Sequence, residues 1–96
     1  MLYIITCVDK PGTADLRGEN RAEHLDRLKA LGARLHMAGP TLSDDGATFT
    51  GSVLIIDFDS LEAAEKFAAE DAYTKAGVFE SVMVKRWKQV LPEIRE

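Results

Sequence analysis

Residues 48–58 read TFTGSVLIIDF, and this stretch decides the fold. It has the length and the apolar, β-branched content of a strand, and residues 53–56 are apolar at four successive positions. Successive side chains of a strand point to opposite faces of its sheet, so both faces of this strand must be covered. Helices of the same chain would cover one face. We therefore expect a second copy of the chain to cover the other face.

The rest of the chain supplies further strands and two helices around this stretch. Helix 15–31 has Leu25, Leu28 and Leu31 on one face and is firm from Glu19 onward, since Gly18 weakens its start. The other predicted elements are strands 2–8, 33–38 and 79–90, helix 61–70, a short helical turn at 71–77 and a tail at 91–96. The order β-α-β-β-α-β predicts a single α+β domain over residues 1–96, of the ferredoxin-like type, with an antiparallel sheet and both helices on one face.

Composition and charge exclude several classes of function. The net charge is −4 and the basic residues are scattered, so we expect neither nucleic acid nor an anionic membrane surface as a partner. No run approaches the roughly 20 apolar residues of a membrane helix. The single cysteine, Cys7, lies in an apolar run and resembles a buried core residue, which suits a reducing compartment. We therefore expect a cytoplasmic protein.

His24 is the strongest candidate for chemistry. It lies on or beside the apolar face of the first helix, and imidazole titrates near neutral pH, as a general acid or base must. Asp71 follows the second helix, where it can cap the next helical turn. It could also fix the tautomer of His24, as aspartate does in acid–base sites. From spacing alone, a structural histidine and a simple helix cap remain the alternatives.

Two arginines precede His24 on the same helix. Arg17 and Arg21 are one turn apart, and a pair of guanidinium groups beside a histidine could bind a small acid. Solvated ion pairs with Glu19 or Glu23 are the alternative. Metal-ligand motifs and glycine-rich phosphate loops are missing from the sequence, and His36 stands alone, so we expect no metal and no cofactor.

Several segments together are similar to the YciI-like family. They lie in the family's order and spacing over nearly the whole chain: Tyr3-Ile4-Ile5, Arg17…Arg21-x-x-His24-Leu25-x-x-Leu28, Ala38-Gly39-Pro40, Phe49-Thr50-Gly51-Ser52, Asp71-Ala72-Tyr73 and Val82-Met83-Val84-Lys85. This resemblance implies a ferredoxin-like domain that dimerises through its sheet, as in dimeric α/β-barrels. It also implies a His–Asp catalytic pair, which corresponds to His24 and Asp71. The family usually has proline at the position of Ala72, a difference that leaves the carboxylate in place.

The function expected from the resemblance is cofactor-free proton transfer on a small cyclic or aromatic acid, because one branch of the family performs dehydrochlorination. His24 would be the base and Asp71 its partner, in an elimination or isomerisation. The expected ligand contacts are Arg17, Arg21, Gly39, Pro40, Gly51 and Ser52. A non-enzymatic binding or regulatory module is the alternative, and a pure assembly domain is a third possibility, since a fold does not determine a function.

Overall fold

The computed structural model describes residues 1–94, so the last two residues of the predicted tail lie outside the described part. The strands are β1 (Leu2–Asp9), β2 (Leu35–Leu42), β3 (Phe49–Asp57) and β4 (Phe79–Arg86). The helices are α1 (Ala14–Lys29), α2 (Leu61–Ala69) and α3 (Ala72–Ala76), and a 3₁₀ turn at Gly32–Arg34 precedes β2. The predicted order of elements is confirmed.

The four strands form one antiparallel sheet in the order β2-β3-β1-β4. This is the ferredoxin-like arrangement, and the predicted α+β fold class is confirmed. The helices cover one face of the sheet, where alternate residues of the central strands are buried beneath Leu28, Ala64 and Ala68. The strand residues in this core are Tyr3, Ile5, Cys7, Leu54 and Ile56.

Three predicted strand boundaries were wrong by two residues or more. The strand β2 begins at Leu35 and not at residue 33, because residues 33 and 34 belong to the 3₁₀ turn. Gly39 and Pro40 lie inside β2 and do not begin a turn after it. An edge strand tolerates proline because its outward N–H needs no partner, and β2 is an edge of this sheet.

The strand β4 ends at Arg86, four residues earlier than predicted. It runs out beside the start of β1, where the Leu2 carbonyl accepts from the N–H of Trp87 and the Met1 carbonyl accepts from the N–H of Phe58 on the other side.

The doubly apolar stretch of β3 is covered on both faces. Leu54 and Ile56 lie beneath the helices, whereas Ile55 faces the opposite, outer side and is only 5% exposed. The side chain of Trp87 reaches across part of that outer face, because its ring lies 6.2 Å from the ring of His36 on the far edge strand. A second subunit is therefore not the only structure that can bury the outer face of the sheet.

The short helix α3 is formed by local capping at both ends. Asp71 is its N-cap and accepts a hydrogen bond from the backbone N–H of Tyr73, while Gly77 ends it with a φ of +83°. Glycine suits this left-handed position because it has no Cβ. α3 packs against α1, which brings the two predicted site residues toward each other. Within residues 1–94, no helix is long and apolar enough to cross a membrane.

Candidate functional site

A cavity of about 150 Å³ lies between α1 and the β2–β3 part of the sheet. We call it the His24 cavity. The residues that line it are Arg17, Arg21, His24, Leu25, Leu28, Ala38, Gly39, Pro40, Phe49, Ser52, Leu54 and Tyr73. Six of the eight predicted site residues belong to this set, and a seventh, Asp71, lies directly behind it. The eighth, Gly51, is outside the lining.

His24 and Asp71 form a buried hydrogen-bonded pair. The Nδ1 atom of His24 lies 2.9 Å from Oδ1 and 3.0 Å from Oδ2 of Asp71, and both residues are buried. A carboxylate accepts hydrogen bonds, so Nδ1 carries the proton and donates it. The Nε2 atom of the neutral ring is then a free acceptor, with no hydrogen-bond partner among residues 1–94. This is the arrangement that a general base requires.

The position of Asp71 is fixed by the backbone of α3. Its Oδ1 atom accepts from the N–H of Tyr73 at 2.9 Å as well as from His24. The helix-capping role and the tautomer-fixing role predicted for Asp71 are therefore compatible, because one carboxylate caps α3 and orients the imidazole at the same time.

Tyr73 contacts His24 directly and was missed as a site residue by the sequence analysis. Its ring stacks on the imidazole with 4.1 Å between centroids and 17° between planes, so the imidazole is restrained both by the stack and by Asp71. Burial raises the pKa of the Tyr73 phenol, and the positive charge of Arg17 partly opposes that rise. The phenol is therefore protonated at neutral pH. One signal in the sequence could have identified Tyr73 as a site residue. It lies two residues after Asp71, in a helix that Asp71 caps.

Arg17 is a structural member of the site. Its Nε atom donates to Oδ2 of Asp9 at 2.9 Å, and its Nη2 atom donates to the carbonyl of Gly51 at 2.7 Å and to Oγ of Ser52 at 2.6 Å. Its guanidinium carbon also lies 4.6 Å from the centroid of the Tyr73 ring. The solvated ion pairs considered for Arg17 are absent from the described contacts. The acid that it does pair with, Asp9, was not identified from the sequence.

Arg21 differs from Arg17 in having no carboxylate within ion-pair distance among residues 1–94. It is exposed, lies one turn after Arg17 and lines the His24 cavity. Its charge is therefore available to an anionic ligand. None of the described residues that line the cavity is an aspartate or glutamate. Asp9 offsets the charge of Arg17 and Asp71 lies behind His24, so Arg21 is the lining cation that an anionic ligand could approach.

The two predicted ligand-approach glycines occupy different environments. Gly39 lines the cavity beside Pro40, and a Cβ built on it meets nothing within 4 Å. Gly51 lies in the sheet, where a Cβ would be 2.1 Å from the backbone oxygen of Cys7. The absence of a side chain at Gly51 thus serves strand packing, and the expectation that it admits a ligand is corrected on this ground. Its carbonyl still contributes to the site by holding Arg17.

Cys7 lies beneath the site and is buried. Burial raises the pKa of its thiol to about 12, with further contributions from the negative charges of Asp71 and Asp9. A thiol with this pKa is not a thiolate at neutral pH and is a poor nucleophile. Among residues 1–94, no group of three or more histidine, cysteine or acidic side chains is placed to hold a metal ion.

Comparisons with known proteins agree with the family resemblance. The model of the YCII-related domain matches residues 1–88. A protein named YciI from Escherichia coli is 45% identical over 97 aligned positions, which cover 94% of this chain and 99% of the relative.

Solved structures share the fold. The 5-chloro-2-hydroxyhydroquinone dehydrochlorinase TftG from Burkholderia phenoliruptrix, solved with 2,5-dihydroxybenzoquinone, is 39% identical with a TM-score of 0.85, and 92% of this chain and 94% of that one are covered. A putative antibiotic biosynthesis monooxygenase from Bacteroides thetaiotaomicron has a TM-score of 0.58. It is 12% identical, with 100% of this chain and 94% of that one covered. At this identity the similarity concerns the fold and nothing more.

Proposed function

The chain belongs to the YCII-related domain family, and we propose that it is a cofactor-free enzyme in which His24 removes a proton from a small cyclic or aromatic acid. The observation that carries this proposal is the hydrogen bond from Nδ1 of His24 to Asp71, because it leaves Nε2 as the acceptor beside a cavity. The similarity to a dehydrochlorinase supports enzymatic action on a small molecule.

The cavity suits a single ring. An apolar cavity of roughly 150 Å³ in another protein holds one benzene molecule, and the His24 cavity has about the same volume. Leu25, Leu28 and Leu54 give it apolar walls, and Arg21 supplies a cation for an acidic substituent. A planar ring with one anionic oxygen therefore matches both the size and the charge of the site.

The proposed step conserves atoms and electrons. The proton of the substrate passes to Nε2 of His24, and the electron pair of the broken bond enters the ring system of the substrate. In an elimination, a leaving group such as chloride departs with its bonding pair from a ring carbon that is tetrahedral in the keto tautomer of the substrate, and a new double bond forms. In an isomerisation, the protonated His24 returns the proton to another position. Asp71 stabilises the imidazolium that exists between these events.

The test compares the two histidines of the chain. The assay follows chloride release from 5-chloro-2-hydroxyhydroquinone and, in parallel, the binding of 2,5-dihydroxybenzoquinone, which are the two compounds named for the related dehydrochlorinase. We expect His24→Ala to lower turnover by about a hundred- to ten-thousand-fold. His36→Ala is the matched control, because His36 is exposed on β2 and does not line the cavity. Binding without turnover by the wild-type protein would instead favour the non-enzymatic module.

We also propose that the protein is a homodimer that forms through the outer face of the sheet. Val8, Met37 and Met83 lie on this face and are 45–54% exposed, so apolar surface remains outside the part crossed near Trp87. Light scattering at micromolar concentration should give twice the chain mass. Met83→Glu should reduce it to one chain mass, and Leu16→Glu, on the exposed side of α1, should not. A wild-type protein with one chain mass would contradict the proposal.

A further inference from the structure

A second cavity, of about 320 Å³, adjoins the His24 cavity. The two cavities share four lining residues, Arg17, Arg21, Phe49 and Tyr73, but His24 does not line the second one. The remaining wall of the second cavity comes from the start of α1 and from the end of the β2–β3 hairpin. A ligand held at His24 can therefore extend past the two arginines into further space.

Gly18 forms part of this second wall without any evident structural need for glycine. It lies inside α1, where glycine is less stable than alanine. Its φ is not in the left-handed region, and a Cβ built on it meets nothing within 4 Å. A large side chain at this position would extend into the second cavity, whereas glycine leaves that space open.

The charges around this space favour an anion. Arg21 has no acidic partner among residues 1–94, and the hydrogen bonds of Arg17 use its Nε and Nη2 atoms but not Nη1. Both arginines line both cavities, and none of the described residues in the second lining is acidic. Guanidinium groups bind carboxylates through charge-assisted hydrogen bonds.

We propose that the second cavity is a subsite for a carboxylate carried on a short side arm of the ring that binds at His24. This inference rests on the proposed function for the location of the ring. It narrows the substrate class from ring acids in general to those whose acid group is carried on a side arm and not on the ring itself. Gly18 of α1 and Ala47 of the β2–β3 hairpin both line this cavity, and they then determine specificity because their size sets the room for the arm.

Calorimetry measures the dissociation constant of each of three probes from the full chain. The probes are phenol, hydrocinnamate and the neutral amide of hydrocinnamate, which differ in arm and charge. We expect the wild-type protein to bind hydrocinnamate at least about tenfold more tightly than its amide, as a charge-assisted hydrogen bond provides. Gly18→Leu should weaken hydrocinnamate binding by about tenfold or more and leave phenol binding within about twofold. Ala22→Leu, on an exposed part of α1 outside both linings, should change neither.

Equal loss of phenol and hydrocinnamate binding in Gly18→Leu would overturn the subsite, as would equal wild-type affinities for the acid and its amide. Ala47→Leu fills the cavity from the hairpin side and gives the same test if Gly18→Leu does not fold. Gly18→Ala should raise the melting temperature and weaken hydrocinnamate binding less than Gly18→Leu does, because its methyl group takes up less of the cavity; a larger loss with alanine than with leucine would also contradict the subsite. These readouts are separate from turnover, so a His24→Ala protein with wild-type rates would refute the proposed base and leave this binding contrast unaffected.

Discussion

The Nε atom of Arg17 lies 2.9 Å from Oδ2 of Asp9, and both side chains are more than nine-tenths buried. The ion pair joins the first helix to the end of the first strand, directly beneath the ring of Tyr73 that stacks on His24. Arg17 therefore supports the site as well as lining it, whereas Arg21, one turn away, has only the second role.

This contrast predicts different effects of the same substitution at the two arginines. Arg17→Met should lower the free energy of unfolding by about 3–5 kcal/mol, because it leaves Asp9 buried without its cation. Arg21→Met should change it by less than about 0.5 kcal/mol, as is usual for an exposed residue, while weakening the binding of anionic ligands. Urea unfolding of both variants measures the difference. Equal free energies of unfolding for the two variants would show that the buried ion pair does not stabilise the fold.

Asp71 has two roles that one substitution can separate. Asn is as good an N-cap as Asp, so Asp71→Asn should retain α3. Its amide can stabilise the other tautomer of His24, so turnover should fall by at least about tenfold. Asp71→Ala loses both roles and should in addition cost about 1 kcal/mol of stability. Turnover and urea unfolding of the two variants are the measurements, and wild-type turnover in Asp71→Asn would exclude a tautomer-fixing role.

Gly39 and Gly51, the two glycines predicted as ligand contacts, should respond differently to the same methyl group. Gly51→Ala places a Cβ against the backbone oxygen of Cys7, so we expect a loss of more than about 2 kcal/mol. Gly39→Ala meets no atom within 4 Å and should stay within about 1 kcal/mol of the wild type. Urea unfolding of the two variants measures both changes in the free energy of unfolding. Similar stabilities would mean that β3 shifts to accommodate the methyl group.

Cys7 predicts a dependence of stability on alkaline pH. Its thiol pKa is about 12 in the folded chain, against an ordinary value of 9.0. Between these values the unfolded chain releases the thiol proton and the folded chain keeps it, so the free energy of unfolding falls as pH rises. Below about pH 9 the effect is absent. Urea unfolding at about pH 8 and pH 11 should show a larger fall for the wild type than for Cys7→Ala, and parallel falls would contradict the burial of the thiol.

The elements and their order follow from local patterns, and the sequence predicts them well. Ser60 caps α2 through its side chain, and Gly77 ends α3, as their residue types suggest. The ends of β2 and β4 were not predictable in the same way. They depend on which strand lies at the edge and on where the neighbouring strand stops, and both are properties of the assembled sheet.

The candidate site also combines features that local sequence predicts with features that only the assembled fold determines. Spacing along α1 places Arg17, Arg21 and His24 on adjoining turns, and the family resemblance suggested the pairing with Asp71. The partner of Arg17 and the stack of Tyr73 on His24 depend on contacts between elements far apart in sequence. Phe49 belongs to a segment that carries the family resemblance but was not assigned to the site, because its place at the cavity depends on how the β2–β3 hairpin lies against α1.

The most direct test of the central claim is the turnover rate of His24→Ala with and without added imidazole, on any ring substrate that the wild-type protein converts. The account predicts a rate lower by about a hundred- to ten-thousand-fold, because the positioned base is gone. It also predicts partial, saturable recovery when imidazole occupies the space that the side chain has left. A His24→Ala protein that converts the substrate at the wild-type rate would contradict the account.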